Sequence, residues 1–115
     1  METKENKKSP VPVSRMVEDI VGCKWSLSVL EAVRNDIVRP GEIQRSIEGI
    51  SAKVLNERFN KMSRYNILEK TIYPEIPPRV EYQLTPFGHK FVAILDQINA
   101  LQSETEAVEL DPVKP

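Results

Sequence analysis

The sequence predicts one α+β domain, mainly α-helical, built as a winged helix-turn-helix with the element order α-α-α-α-β-β-α. Two observations support this prediction. A short helical pattern, a tight turn at Gly49-Ile50-Ser51 and a basic helical pattern follow one another, as in a helix-turn-helix. Two runs with strand character then flank a proline-rich segment, which predicts the hairpin called a wing. A chain of 115 residues is long enough for one domain and too short for two.

Three short helices are predicted before residue 50, because apolar residues recur there at intervals of three or four. Gly22 is the predicted stop of the first helix, and the polar Asn35-Asp36 closes the second. Pro40-Gly41 opens the third helix, with Gly49 as its candidate C-cap. The apolar positions are Met16, Val17, Ile20 and Val21 in the first helix, Trp25, Leu27, Val29, Leu30 and Val33 in the second, and Ile43 and Ile47 in the third.

A fourth helix is predicted over residues 52–65, with Ser51 as its N-cap. Residues 51–65 hold four basic residues against one acidic residue, so this helix has a net charge of +3 and is the most basic of the chain. Its buried face is predicted from the spacing of Leu55, Phe59 and Met62. Its polar face carries Lys53, Asn56, Asn60, Lys61 and Arg64.

A hairpin and a fifth helix are predicted after residue 66. Residues 67–73 are rich in β-branched side chains, and residues 79–84 alternate between polar and apolar ones. The prolines between them argue against a tight two-residue turn. Thr85 is predicted to cap the last helix, with Pro86 at its first position. The long apolar stripe of that helix is Phe87, Phe91, Ile94, Leu95, Ile98 and Leu101.

The charge is unevenly distributed along the chain. Sixteen Lys and Arg residues against seventeen Asp and Glu residues give a net charge of −1. Residues 13–90 carry +2, whereas residues 91–115 carry −4. We therefore expect a winged helix-turn-helix domain over 11–102, a flexible N-terminal tail over 1–10 and an acidic, disordered tail over 103–115.

Composition excludes several functional classes. A single cysteine and a single histidine exclude an intramolecular disulfide framework and any Cys- or His-rich metal site. Without a phosphate-binding glycine loop or a catalytic constellation, we expect no enzyme, no cofactor and no metal. No run of 18 apolar residues occurs, so no membrane association is expected. The polar N-terminus does not have the pattern of a signal peptide, and the expected location is cytoplasmic.

Five segments, in order, resemble motifs of the HxlR-type transcriptional regulators. They are 21–26, similar to G-G-K-W-[ST]; 41–51, similar to F-G-E-L-x-R-x-I-x-G-I-S; Val54-Leu55 with Arg58; the wing 73–82; and Thr85 with Gly88. The resemblance covers about residues 11–101. The resemblance implies a bacterial or archaeal regulator that binds DNA as a homodimer. Several members of that family respond to aldehydes, electrophiles or oxidants. The chain departs from the family where Val11-Pro12-Val13 lacks the usual cysteine, and where Cys23 replaces a glycine.

The DNA-binding hypothesis places helix 51–65 in the major groove and the wing 74–79 on the minor groove or the DNA backbone. Amide side chains can read adenine, and cationic side chains can contact guanine or phosphate. Arg58 has a structural alternative, because it lies near the edge of the apolar face and could form an ion pair there. The predicted DNA contacts are Arg45, Ser51, Lys53, Asn56, Arg58, Asn60, Lys61, Arg64 and Arg79.

A homodimer reading an inverted repeat is expected, because one domain of this size contacts only a few base pairs. The predicted interface, on the first and last helices, is Val17, Ile20, Phe91, Ile94, Leu95, Ile98 and Leu101. Trp25 is interpreted as core or interface packing, or as the wall of an effector pocket between the first, second and last helices.

Cys23 is either a small packed residue or a redox-sensing thiol. A small molecule or an electrophile is the expected inducer. His89 is interpreted as a surface residue or a phosphate contact. The functional alternative is a winged-helix module that binds an acidic protein partner through its basic helix and does not bind DNA.

Overall fold

The computed structural model describes residues 11–109. The helices are α1 (Val13–Val21), α2 (Lys24–Arg34), α3 (Pro40–Ser46), α4 (Ala52–Arg64) and α5 (Pro86–Glu109), and the strands are β1 (Leu68–Tyr73) and β2 (Arg79–Leu84). The predicted order of four helices, a hairpin and a last helix is confirmed.

The last helix is longer than the sequence predicts. The sequence predicts a disordered tail from residue 103, but α5 continues to Glu109, so this prediction is wrong for residues 103–109. This segment contains helix-forming Glu and Ala, and Pro112 and Pro115 follow only later. The Thr105 hydroxyl also donates a hydrogen bond to the carbonyl of Leu101. The predicted N-terminal tail, 1–10, and residues 110–115 lie outside the described residues.

The hydrophobic core lies where α4 meets the other helices and the hairpin. The ring of Phe59 stacks on that of Tyr82 in β2, with centroids 3.8 Å apart and planes 10° from parallel. At the C-terminal end of α4, the Tyr65 hydroxyl donates a hydrogen bond to the Asp19 carboxylate of α1. Both contacts fix the orientation of α4. Other buried core residues are Met16, Ile20, Val29, Leu30, Val33, Ile43, Leu55, Met62, Ile67, Leu68, Phe91 and Leu95.

The hairpin is joined to the helices along one edge. β1 and β2 are antiparallel, with Leu68 opposite Leu84 and Tyr73 opposite Arg79. The backbone N–H of Tyr82 donates to the carbonyl of Val38, 2.9 Å away, in the segment between α2 and α3. The inner half of the wing is therefore tied to the helices, and the segment 74–78 extends away as its tip.

Thr85 and Gly88 form the junction between the hairpin and α5. The Thr85 hydroxyl donates to the carbonyl of Asn66 (2.6 Å) and accepts from the N–H of Gly88 (2.8 Å), which confirms its predicted role as a cap. A Cβ atom at Gly88 would lie only 2.1 Å from the carbonyl oxygen of Ile67. Only glycine therefore allows α5 to start this close to β1.

Replacing Gly88 with alanine should destabilise the fold by about 2 kcal/mol or more, because the added methyl collides with backbone that cannot rotate away. Gly41→Ala is the matched control, since its Cβ would meet only the mobile end of Arg45, at 3.5 Å. Urea denaturation followed by circular dichroism compares the two variants. Equal stabilities would contradict the close approach of α5 to β1.

Candidate nucleic-acid interface

One face of α4 is exposed along the whole helix. The Ser51 hydroxyl accepts a hydrogen bond from the N–H of Val54 (3.1 Å), so Ser51 caps the helix as predicted. Leu55, Phe59 and Met62 are buried. The exposed face carries Lys53, Asn56, Glu57, Asn60, Ser63 and Arg64, and Lys61 is half-buried at its edge. Polar side chains that could contact a groove are therefore aligned on the face opposite the core.

Four side chains on this face have no partner of their own. Within residues 11–109, Lys53, Asn56, Asn60 and Arg64 form no side-chain hydrogen bond and no ion pair. Asn56 and Asn60 are four residues apart, which corresponds to about 6 Å along the helix axis. Their amide groups are thus free to bind an external ligand at two successive levels of the helix.

The turn between α3 and α4 rests on Trp25. Gly49 in this turn has φ +89°, a left-handed conformation that glycine adopts without strain. A Cβ atom on Gly49 would lie 3.6 Å from Cη2 of Trp25, so the indole lies directly beneath the turn. Arg45, near the end of α3, is exposed. The helix-turn-helix therefore presents Arg45 beside the exposed face of α4.

The predicted position of a pocket near Trp25 is wrong. The sequence predicts a pocket beside Trp25 between the first, second and last helices, whereas in the structure Trp25 lines an open groove of about 410 Å³ between α2 and the end of α3, with Ile37 and Ile47. The reason is that the indole packs against the helix-turn-helix turn rather than towards α5. A separate cleft of about 490 Å³ lies between α2, β2 and α5, beside the ion pair of Arg34 with Asp96 (2.8 Å).

Arg58 points into the protein instead of outwards. Its Nη1 donates to the sulfur of Cys23 at 3.4 Å, its Nη2 lies 3.7 Å from the Glu57 carboxylate, and its side chain is only 21% exposed. Of the two interpretations of Arg58, the structural one, in which the side chain forms an ion pair within the protein, fits these contacts better than a DNA contact does. We remove Arg58 from the set of candidate DNA-contacting residues.

Arg79, one of the predicted DNA contacts, does not project freely from the wing. Its guanidinium lies 4.0 Å from the ring centroid of Tyr73 and forms ion pairs with Glu75 (3.4 Å) and Glu81 (3.6 Å). These contacts leave the side chain 31% exposed. Residues 68–84 hold two basic and three acidic residues, so the wing has a net charge of −1. The fully exposed side chain at its tip is Ile76.

Three residues of the predicted dimer interface belong to the core of the chain itself. Ile20, Phe91 and Leu95 are 0%, 1% and 4% exposed, so they cannot contact a second protomer in this conformation. Their apolar periodicity reflects the face that packs inwards. Outward apolar stripes remain on both helices. On α5 the stripe is Ile94, Ile98 and Leu101. On α1 it is Val13, Val17 and Val21, of which only Val17 is in the predicted interface. The i, i+4, i+8 spacing of the three valines was the signal available in the sequence.

Cys23 is half-buried at the N-cap of α2, and its thiol is free. Burial raises the pKa of this thiol. The Ser26 hydroxyl and amide, the Arg58 charge and the Trp25 amide together outweigh burial, and the pKa lies below its ordinary value. The sulfur is thus surrounded by groups that favour its anionic form.

Residues 11–109 contain no group of three or more His, Cys, Asp or Glu side chains arranged to hold a metal ion. Over the same residues, no helix is both long and apolar enough to cross a bilayer. His89 is exposed near the start of α5.

Comparison with known proteins identifies the family. The family model for HxlR-like helix-turn-helix proteins matches residues 20–109. The chain is 34% identical over 93 residues to the HTH-type transcriptional regulator sll1512 of Synechocystis, covering 81% of this chain and 68% of that protein. It is 34% identical over 99 residues to the HTH-type transcriptional regulator YtfH of Escherichia coli, covering 83% and 79%.

Among solved structures, the reduced form of the transcriptional regulator YodB from Bacillus subtilis has a TM-score of 0.68 at 28% identity, over 78% of this chain and 88% of that chain. The proteins compared are named as regulators and not as enzymes. The matched segment includes the helix-turn-helix, the wing and α5. The chain therefore belongs to the HxlR-like helix-turn-helix family and is a transcriptional regulator with a winged-helix fold.

Proposed function

We propose that this regulator is a cytoplasmic homodimer that binds an inverted repeat in double-stranded DNA, with α4 in the major groove. The observation that carries the proposal is the exposed face of α4, where Lys53, Asn56, Asn60 and Arg64 have no partner within the described residues. Polar groups without protein partners, opposite a fully packed face, are what recognition of an external ligand requires.

The side chains of this face match the chemistry of the major groove. An asparagine amide can bind adenine through N6 and N7 together. A helix rise of about 6 Å between Asn56 and Asn60 spans roughly two base-pair steps of about 3.4 Å. Lys53 lies in the first turn, Lys61 and Arg64 lie towards the other end, and Ser51 caps the helix. We assign the two asparagines to base reading, the cations and Ser51 to phosphates or guanine, and Arg45 to the DNA backbone.

The wing offers less free positive charge than the prediction of Arg79 as a DNA contact implies. Since Arg79 is paired with Glu75 and Glu81, its charge is largely compensated at the tip. We propose that the wing contacts the minor groove or the adjacent backbone mainly by its shape, while α4 supplies most of the electrostatic attraction.

The dimer would form through the outward stripes of α1 and α5. Val13, Ile94 and Leu101 are large apolar side chains that are exposed in the single chain, and half-buried Val17 and Ile98 extend the same stripes. A two-fold dimer would place its two α4 helices one DNA turn apart, about 34–36 Å, or a multiple of that distance. An inverted repeat is the operator that such symmetry reads.

Selection from a pool of random duplexes, at about 100 mM salt, tests the function directly. An enriched inverted repeat is the expected result, and its half-site spacing gives the distance between the α4 helices. If no duplex is enriched, the protein-binding module becomes the better hypothesis. The exposed apolar Ile72 and Ile76 on the wing are the observation that favours this second candidate.

The double variant Lys53→Ala/Arg64→Ala should weaken binding to the selected operator by at least about tenfold. The slope of log K against log salt should fall by about two, because each lost phosphate contact removes about 0.9. Fluorescence anisotropy between about 50 and 200 mM salt measures both quantities. Lys90→Ala, an exposed lysine on α5, is the control for charge alone. A loss no larger than that of the control would exclude α4 as the DNA-binding helix.

The substitution Glu75→Gln should tighten DNA binding about threefold, because it removes a negative charge and frees part of the Arg79 charge at the wing tip. Glu69→Gln is the matched control, since it removes the same charge near the base of the hairpin, opposite Gln83. The same anisotropy titration compares the two. Unchanged or weaker binding by Glu75→Gln would indicate that the wing tip does not approach DNA.

The double variant Ile94→Asp/Leu101→Asp should dissociate the dimer, because two carboxylates would be buried in an apolar interface. Sedimentation equilibrium measures the dissociation constant, which should rise by at least about 100-fold. Ile72→Asp on the wing is the matched control, an equally apolar exposed residue away from both stripes. If only the control dissociates, the interface lies on the wing instead.

A further inference from the structure

We propose that Ile76, at the tip of the wing, is an apolar wedge that enters the minor groove beside the α4 site and partly unstacks one base step of the operator. The inference rests on the proposed DNA-binding function and adds to it a specificity-determining residue and a bend in the DNA. The base steps that unstack most easily are the pyrimidine–purine steps, TA and CA/TG, so these are the steps that such a wedge selects.

Ile76 is a large apolar side chain that the protein leaves completely in solvent. Its exposed fraction is 102%, whereas Ile72 on β1 is 59% exposed and keeps part of its contact with the hairpin. Single exposed apolar side chains are common on protein surfaces. The distinguishing feature of this one is that the backbone on both sides of it is restrained.

The first restraint comes from proline. Pro74, Pro77 and Pro78 make up three of the five residues of the tip, and each ring fixes the φ angle of its residue. The backbone N–H of Glu75 donates to the carbonyl of Tyr73, 2.8 Å away, which closes a three-residue turn around Pro74. The tip therefore loses little conformational entropy when it enters a binding site.

The second restraint is Arg79, which holds the two ends of the tip together. It lies opposite Tyr73 in the strand pairing, and its guanidinium is 4.0 Å from the centroid of that ring. Its Nη2 lies 3.4 Å from the carboxylate of Glu75, the residue directly before Ile76. The guanidinium thus joins both strands to the tip. It also compensates a negative charge that phosphates would otherwise repel.

These contacts determine which chemistry the tip offers to DNA. Arginine is a side chain that reads a narrow minor groove, but Arg79 is already engaged by Tyr73, Glu75 and Glu81. Residues 74–78 contain no basic side chain. Isoleucine and proline belong to the apolar side chains that insert between base steps from the minor groove and kink the duplex. The composition of the tip matches this apolar mode of recognition.

The shape of the tip fits a groove better than a protein surface. The minor groove is about 6 Å wide and 7.5 Å deep, so it admits one side chain and not a whole two-stranded ribbon. A stable protein–protein interface buries about 800 Å² on each partner, far more than one isoleucine between prolines provides. The observations therefore favour DNA over a protein as the partner of Ile76.

The wing is long enough to reach the groove next to the one that α4 occupies. Tyr82 is the residue whose N–H is bound to Val38, and Ile76 lies six residues before it. At about 3.3 Å per residue, the tip extends up to about 20 Å from this attachment. Half a turn of DNA is about 17 Å, which is the distance between neighbouring grooves along the axis. The wedge is therefore expected about five base pairs from the centre of the α4 site.

Base unstacking is measured on the selected operator with 2-aminopurine placed, one position at a time, on either side of the α4 site. Wild type should raise the fluorescence several-fold at one step in each half-site. Ile76→Ala should abolish this rise, and Ile76→Leu should retain it, because leucine is also an inserting side chain. If wild type binds the operator and no position brightens, the inference is wrong and the proposed function stands.

Affinity and its salt dependence separate the wedge from a charge contact. Ile76→Ala should weaken operator binding about tenfold, with the slope of log K against log salt unchanged, because no phosphate contact is lost. Ile72→Ala is the matched control, the same residue type on the same hairpin, and should bind as wild type does. Equal losses for the two variants would overturn the wedge and point to a general apolar surface on the wing, as a protein-binding module would have.

Sequence selection with Ile76→Ala supplies the specificity test. The variant should still enrich the inverted repeat read by α4 but should lose the enrichment of TA or CA/TG steps beside it. Identical enrichment by wild type and variant would overturn the inference. If wild type binds no duplex even at low salt, the proposed function itself fails and the inference fails with it. Because Ile76 is fully exposed, equal urea midpoints of variant and wild type verify that the fold is intact.

Discussion

The stacking of Phe59 on Tyr82 is the contact on which the geometry of the interface depends. It joins the buried face of α4 to the inner side of the wing, with ring centroids 3.8 Å apart. Tyr82 is also the residue whose N–H binds Val38, so the same strand position holds α4, the hairpin and the α2–α3 segment together. Once this face of α4 is buried, the direction in which Lys53, Asn56, Asn60 and Arg64 point is fixed by the helix period.

Some of the basic side chains predicted to contact DNA are instead paired with groups of the protein itself. Arg58 and Arg79, both predicted to contact DNA, have protein partners: a cysteine sulfur and Glu57 for the first, and Tyr73 with two carboxylates for the second. Of the other cations predicted to contact DNA, Arg45, Lys53 and Arg64 are exposed and Lys61 is half-buried. The net charge of −1 therefore conceals a group of exposed cations on the helix-turn-helix.

The sequence predicts elements well and side-chain destinations less well, for a physical reason. Periodicity and capping act locally, so the helices, the hairpin and the Thr85 cap could be placed from neighbouring residues. Partners distant in sequence leave no such pattern, and the contacts of Arg58 with Cys23 and of Arg79 with Tyr73 could not be predicted. The apolar residues of α5 cover both the side of the helix that packs against the core and the side that faces outwards. Phe91 and Leu95 pack inwards while Ile94 and Leu101 remain exposed, and hydrophobicity alone does not distinguish them.

Cys23 is the position where local requirements and global packing disagree. The family motif has a glycine there, whereas this chain has a thiol beside a buried hydroxyl that lacks a normal partner. Burying an unpaired donor destabilises a fold, and such conflicts are concentrated at functional sites. Burial raises the pKa of this thiol, but the Ser26 hydroxyl and amide, the Arg58 charge and the Trp25 amide together hold the pKa below its ordinary value. Arg58, whose Nη1 donates to the sulfur, belongs to α4, so the N-cap of α2 and the position of α4 are physically linked.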